Sequence, residues 1–239
     1  MIYKRISIIF VAGYLLLTAL SLLAWRAFPR EPREPNLATV LFREGLTVAQ
    51  ASELLNQAGV LSGQSLSTDL EGYLFPDTYE FFVPSSADSV AKRFSENFNK
   101  KVLPMIPQGR DIREILTVAS LVEREVSGPA DRRMVAGIIW KRLRNDFPLQ
   151  VDSPFCYIKP EPCHPVTPED TAKDSPYNTY TRKGLPPTPI ANPGLDAITA
   201  AVNPQGSPYW FYLSDPKTQK TVFAVDLDEH RRNIVKYLK

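Results

Sequence analysis

Cysteine and histidine are scarce in this chain, two of each among 239 residues. The cysteines, Cys156 and Cys163, enclose six residues in the run CYIKPEPC. The spacing is not CxxC, and with His164 the set still lacks a fourth ligand, which argues against a structural zinc site. Outside the cytoplasm the pair instead invites a local disulfide closing a small loop. A basic surface is also missing. Residues 1–30 hold four of the 28 Lys and Arg and none of the 26 acids, so the remainder carries a net charge of −2. No basic stripe is available to lie along phosphates, which excludes a nucleic-acid partner. No internal repeat occurs, and no metal or organic cofactor is implied.

One long apolar run is present. Ile6 to Trp25 has no charge over 20 residues (ISIIFVAGYLLLTALSLLAW). As a helix it spans about 30 Å, the thickness of a bilayer core. Lys4 and Arg5 precede it and predict that residues 1–5 stay in the cytoplasm. Arg26, Arg30 and Arg33 follow, interleaved with Glu31 and Glu34. A cleaved signal peptide is the rival reading. Its apolar core is normally shorter and ends in a small-x-small site, of which Thr18-Ala19-Leu20-Ser21 is a poor version. An uncleaved inner-membrane anchor over 6–25 is favoured, with a Pro- and charge-rich linker over 26–37 and an extracytoplasmic remainder.

Beyond the linker, Ala38–Phe42 is β-prone, and Thr47 can cap a helix to about Gln57, with Ala49, Leu54, Leu55 and Ala58 as candidate apolar positions. Residues 69–84 are dense in aromatics around a Pro-Asp turn. Val90, Phe94, Phe98 and Val102 share one side of a helix predicted over 89–102. Asp111 and Glu114 resemble a capping box opening the next helix. Gly128-Pro129 ends that helix, and another runs over 131–143 on Met134, Val135, Ile138, Ile139 and Leu143. Residues 147–193 hold about half of the 22 prolines and show no sustained period. A loop of that length is usually functional. A short helix over 194–202, a hairpin from 209–214 to 221–225 and a terminal helix over 229–238 complete the chain.

Ile112–Val126 carries the chemistry. At about 100° per residue from Ile112, the apolar residues Ile115, Leu116, Ala119, Val122 and Val126 fall between about 280° and 40°. Glu123 falls at about 20°, inside that arc, whereas Glu125 falls at about 220° and Glu114 at about 200°. A carboxyl withdrawn from water holds its proton to higher pH, and can then act as a general acid. The alternative is a rim glutamate paired with an arginine such as Arg124 or Arg142.

Several strings occur in order: LEGYLFPDTYEF at 70–81, ASLVEREV at 119–126, VAGIIWKRL at 135–143, LQVDS at 149–153 and SPYNTYTRKGLPPTPIANPG at 175–194. AITAAVNP and the YWFYLS…TVFAVDLDEH terminus follow. Together they resemble the YceG-like family of endolytic murein transglycosylases over roughly 69–235. The resemblance implies an α+β fold: a membrane-anchored ectodomain with a shortened LysM-like strand–helix unit over 38–68, then a helical catalytic core with a small antiparallel sheet over 69–239. It implies a single-pass inner-membrane enzyme acting on peptidoglycan glycan strands, with peptidoglycan synthases as candidate partners. The product would carry a 1,6-anhydro-N-acetylmuramic acid end. A catalytically silent peptidoglycan-binding scaffold is the alternative from another class, and a water-using muramidase is a third reading.

The resemblance carries the family's catalytic glutamate onto Glu123, as acid and then base. Glu125, pointing elsewhere, would then matter far less. Tyr177, Asn178 and Tyr180 offer ring faces and polar groups to sugars, with loop-stabilising bonds as the plainer alternative. Gln150 and Asp152 could line the cleft. Glu71 and Asp77 read as braces for the aromatic segment, and His230 as a packed side chain. Against the family pattern, the LysM-like region is short, Thr221 stands where a His is usual, and the Cys156–Cys163 stretch is unfamiliar.

Overall fold

The computed structural model describes residues 17–21, 36–159 and 166–238. Residues 17–21 are helical, and most of the anchor expected over 6–25 lies outside the described residues, as does the linker over 26–35. No helix among the described residues is long and apolar enough to cross a membrane. Leu37 onward forms one compact unit, separate from Met1–Asn36.

Strand β1 (Leu37–Phe42) alternates, turning Val40 and Phe42 inward. It pairs antiparallel with β2 (Asp77–Phe82), Val40 opposite Tyr79, and β2 turns Tyr79 and Phe81 to the same side. Helix α1 (Val48–Gln57) begins at a capping box in which Thr47 and Gln50 bond each other's backbone N–H, two orphan donors satisfied reciprocally. It buries Val48, Ala51 and Leu55, whereas Ala49, read as apolar-facing, is exposed. Helix α2 (Ala87–Lys101) closes this first core with Val90 and Phe94, while its Phe98 packs into the second. The Phe94 ring lies 5.3 Å from Phe42 and 4.4 Å from Tyr79. The strand–helix unit of 38–68 therefore shares its core with elements beyond residue 69. In place of the one small antiparallel sheet expected over 69–239, the described residues form two separate two-stranded sheets, the aromatic segment pairing with β1.

The second core surrounds α3 (Ile112–Glu125). Asp111 caps it, accepting from Arg113 N–H at 2.8 Å. Ile115 to Val122 are buried without a break, because α4 (Pro129–Arg144), α7 (Leu195–Val202) and the long loop enclose the helix on several sides. Pro129 opens α4, where its missing N–H costs nothing. The 147–193 stretch holds two short helices, α5 (Ser153–Ile158) and α6 (Pro168–Ala172). Cys156, in α5, is disulfide-bonded; Cys163 and His164 lie outside the described residues. Strands β3 (Phe211–Ser214) and β4 (Thr221–Ala224) form the hairpin, and α8 (Leu227–Tyr237) packs on it.

The loop is locked to both cores through Asn192, which is fully buried. Its Oδ1 accepts from Leu74 N–H at 2.8 Å, and its Nδ2 donates to the Leu46 carbonyl and to Glu71 Oε1. Gly72 lies beneath the same loop with φ +88°, and a Cβ there would stand 2.6 Å from Pro189 Cγ.

Candidate active site

The last turn of α3 carries two carboxyls that end in different surroundings. The Glu123 side chain is 6% exposed and sits 2.6 Å from Arg132 Nη2 of α4. Its other oxygen accepts from Gly194 N–H at 2.9 Å. Burial raises its pKa, and the neighbouring Glu44 and Asp196 charges add to that, against the Gly194 N–H and Arg132. Gly194 lies close under Glu44, whose exposed side chain would have to move aside for a Cβ, since Glu44 Oε1 would stand 2.0 Å from it. Both oxygens of Glu123 are thus engaged by the protein itself.

Glu125, two residues on, opens into a cavity of about 530 Å³ between α3, α5, β3 and α8. Ser153 N–H, at the start of α5, donates to its Oε1 at 3.3 Å, and the Tyr212 hydroxyl from β3 donates to Oε2 at 3.3 Å. The Ser153 hydroxyl lies buried beside it. Burial raises the Glu125 pKa and the nearby Asp152 charge raises it further, while the Ser153 and Tyr212 contacts oppose the shift. Burial and the Asp152 charge thus favour the protonated form of a carboxyl that lines the cavity.

Three residues read from the sequence as sugar contacts line the same cavity. Gln150 stands at its mouth, exposed, with φ +48°. Asp152 accepts a 2.5 Å hydrogen bond from the Tyr180 hydroxyl. Tyr180 forms part of the wall, and burial with the Asp152 contact raises its phenol well above the ordinary value. The loop reaches this position because Thr179 clamps Val151, its hydroxyl accepting from the Val151 N–H and donating to the Val151 carbonyl.

The other two candidates fall elsewhere. Asn178 is fully buried. Its Nδ2 donates to the Thr171 and Lys173 carbonyls and its Oδ1 accepts from the Tyr180 and Thr181 N–H groups. Its polar atoms are spent on the loop, so a sugar contact from Asn178 is corrected to a loop-shaping role. Tyr177 lines a second cavity, with Glu71. Asp77 braces the aromatic segment against α2, through Asn97 and Lys101.

Two wall residues were missed. Arg142 is buried, donating to the Leu149 and Trp210 carbonyls and lying over the Phe147 and Phe211 rings. Its place four residues after Ile138 and seven after Val135, on the apolar side of α4, is a signal that could have found it. Tyr212 had no comparable signal, because its partner Glu125 is 87 residues away. His230 also lines the cavity, stacked on Phe211 at 5.2 Å, its Nδ1 buried and without a hydrogen-bond partner among the described residues.

The chain is 28% identical over 253 residues to the endolytic murein transglycosylase of Streptococcus pneumoniae serotype 2, covering 87% of this chain and 46% of that protein. It is 35% identical over 180 residues to the protein of the same name from Bacillus subtilis, covering 73% and 50%. The chain thus spans about half the length of the curated relatives it matches. A crystal structure of a YceG-like protein from Listeria monocytogenes superposes with a TM-score of 0.71 at 28% identity, over 82% of this chain and 75% of that one. The model of the YceG-like family matches residues 16–236. With nearly its whole length matched and its fold shared with the Listeria protein, the chain belongs to the YceG-like family.

Proposed function

We propose that this protein is a lytic transglycosylase that cuts peptidoglycan glycan strands internally, as the names of its relatives indicate for them. The observation that carries the reading is the Glu125 carboxyl in a polar cavity beside Gln150, Asp152 and Tyr180. The chemistry needs one carboxyl that serves twice. The protonated acid gives its proton to the bridging oxygen between N-acetylmuramic acid and N-acetylglucosamine as the C1–O bond breaks. The carboxylate left behind takes the proton of the C6 hydroxyl while O6 bonds to C1, closing the 1,6-anhydro ring. The acceptor is part of the substrate, so proximity replaces water, and the second carboxylate of a hydrolase is dispensable.

The resemblance names Glu123 for this role, and the geometry favours Glu125. Glu123 is held as the anion of a sheltered ion pair with Arg132 at 2.6 Å, whereas Glu125 accepts two 3.3 Å bonds from neutral donors and lines the cavity that substrate would enter. In this reading Glu123 fixes the end of α3 and Glu125 acts. The uncharged run over 6–25 supports a single-pass inner-membrane anchor with the catalytic unit outside the cytoplasm. Mass spectrometry of digested peptidoglycan tests the function: anhydro ends support a transglycosylase, reducing ends a muramidase, and no cleavage a binding scaffold.

A further inference from the structure

The cavity at Glu125 has a neighbour built on the same two segments. The first takes Asp152 and Ser153 from the start of α5 and Tyr180 from the loop. The second, about 510 Å³, takes Tyr157 from the far end of α5, and Tyr177 and Thr188 from the same loop. Helix α5 has six residues, so little more than about 9 Å of helix separates the two.

Burial and hydrogen bonding make this second cavity a built one. Glu71 forms its floor at 3% exposure, accepting from the Val48 N–H, Asn192 Nδ2 and the Tyr157 hydroxyl. The Tyr157 and Tyr177 rings lie 5.3 Å apart, and the Tyr177 hydroxyl bonds Thr188 Oγ1 at 2.8 Å. Arg113 stands exposed on the rim, donating to the Pro187 carbonyl at 2.9 Å and in no ion pair among the described residues. Asp69 also lines the site. Ring faces pack against the C–H faces of a pyranose, and hydroxyls, an arginine and a carboxylate exchange hydrogen bonds with sugar hydroxyls and acetamido groups. A phosphate would meet the Asp69 carboxylate and be repelled.

We propose that this cavity is a second saccharide subsite, holding a neighbouring N-acetylhexosamine unit of the strand whose bond lies at Glu125. The inference rests on the proposed function, since a cut inside a strand requires sugars on both sides of the bond.

The test uses the full chain in detergent, wild type against Arg113→Ala and Tyr177→Leu, titrated calorimetrically with N-acetylglucosamine oligomers of two and six units. The hexamer's affinity advantage over the dimer should shrink about tenfold in Tyr177→Leu, one stacked ring's worth, and also in Arg113→Ala. Arg113 is exposed, so that variant keeps its melting midpoint and separates binding from folding. An unchanged hexamer-to-dimer ratio in both variants overturns the subsite. A ratio that falls while the wild type yields no anhydro ends upholds the subsite and sinks the transglycosylase reading alone.

Discussion

Arg132 Nη2 lies 2.6 Å from Glu123 Oε1, with only 11% and 6% of the two side chains exposed. An ion pair this sheltered is costly to break, because the partner left behind keeps its charge without compensation. Glu123→Gln should therefore destabilise the fold by about 3 kcal/mol, read as a lower urea midpoint at unchanged slope. An unchanged midpoint would show that the pair contributes nothing.

The pH profile of strand cleavage should report Glu125. The acid must start protonated, so activity falls as pH rises through its pKa. Tyr212 stabilises the ionised form and Asp152 opposes it. Tyr212→Phe should move the descending limb to higher pH, and Asp152→Asn should move it to lower pH. Shifts of the same sign would contradict the assignment.

Stability should also depend on pH through Glu71, whose carboxyl is pushed from 4.5 to about 7, first by burial. An acid raised on folding binds its proton more tightly in the folded state, so stability is greatest below the unfolded pKa and is lost as pH rises to about 7. The full difference corresponds to about 3 kcal/mol. Denaturation between pH 4.5 and 8 should show this decline, and Glu71→Gln should make it shallower; equal slopes would remove Glu71 as the cause.

Gly72→Ala should be severe. The residue sits at φ +88°, and the new Cβ would meet Pro189 at 2.6 Å. Backbone strain and overpacking each cost about 1–3 kcal/mol. A melting temperature within error of wild type would mean that the loop yields freely there.

Much of the fold was legible in side-chain spacing. Val90, Phe94, Phe98 and Val102 are all buried, and Thr47 caps as its position predicts, because both signals are local. The pairing of β1 with β2 joins residues about 40 apart in sequence, and no local pattern specifies it. The site was half legible. Gln150, Asp152 and Tyr180 gather around one cavity, but helix angles put Glu125 on the side away from the core, where the structure encloses it. An angular argument assumes one wet face, and α3 is buried through Ile115–Val122. The side opposite the apolar arc is therefore not solvent but a walled cavity, and the arc that received Glu123 leads it to Arg132.

The paired substitutions Glu125→Gln and Glu123→Gln decide the central claim. With purified full chain on isolated peptidoglycan, the release of anhydro-muropeptides would be quantified by mass spectrometry at a temperature where both variants are folded. Glu125→Gln should reduce release by about 10²–10⁴-fold, the range for losing a general acid–base, while Glu123→Gln keeps most of it. Full release by Glu125→Gln, with loss confined to Glu123→Gln, would contradict the account and return the acid to Glu123.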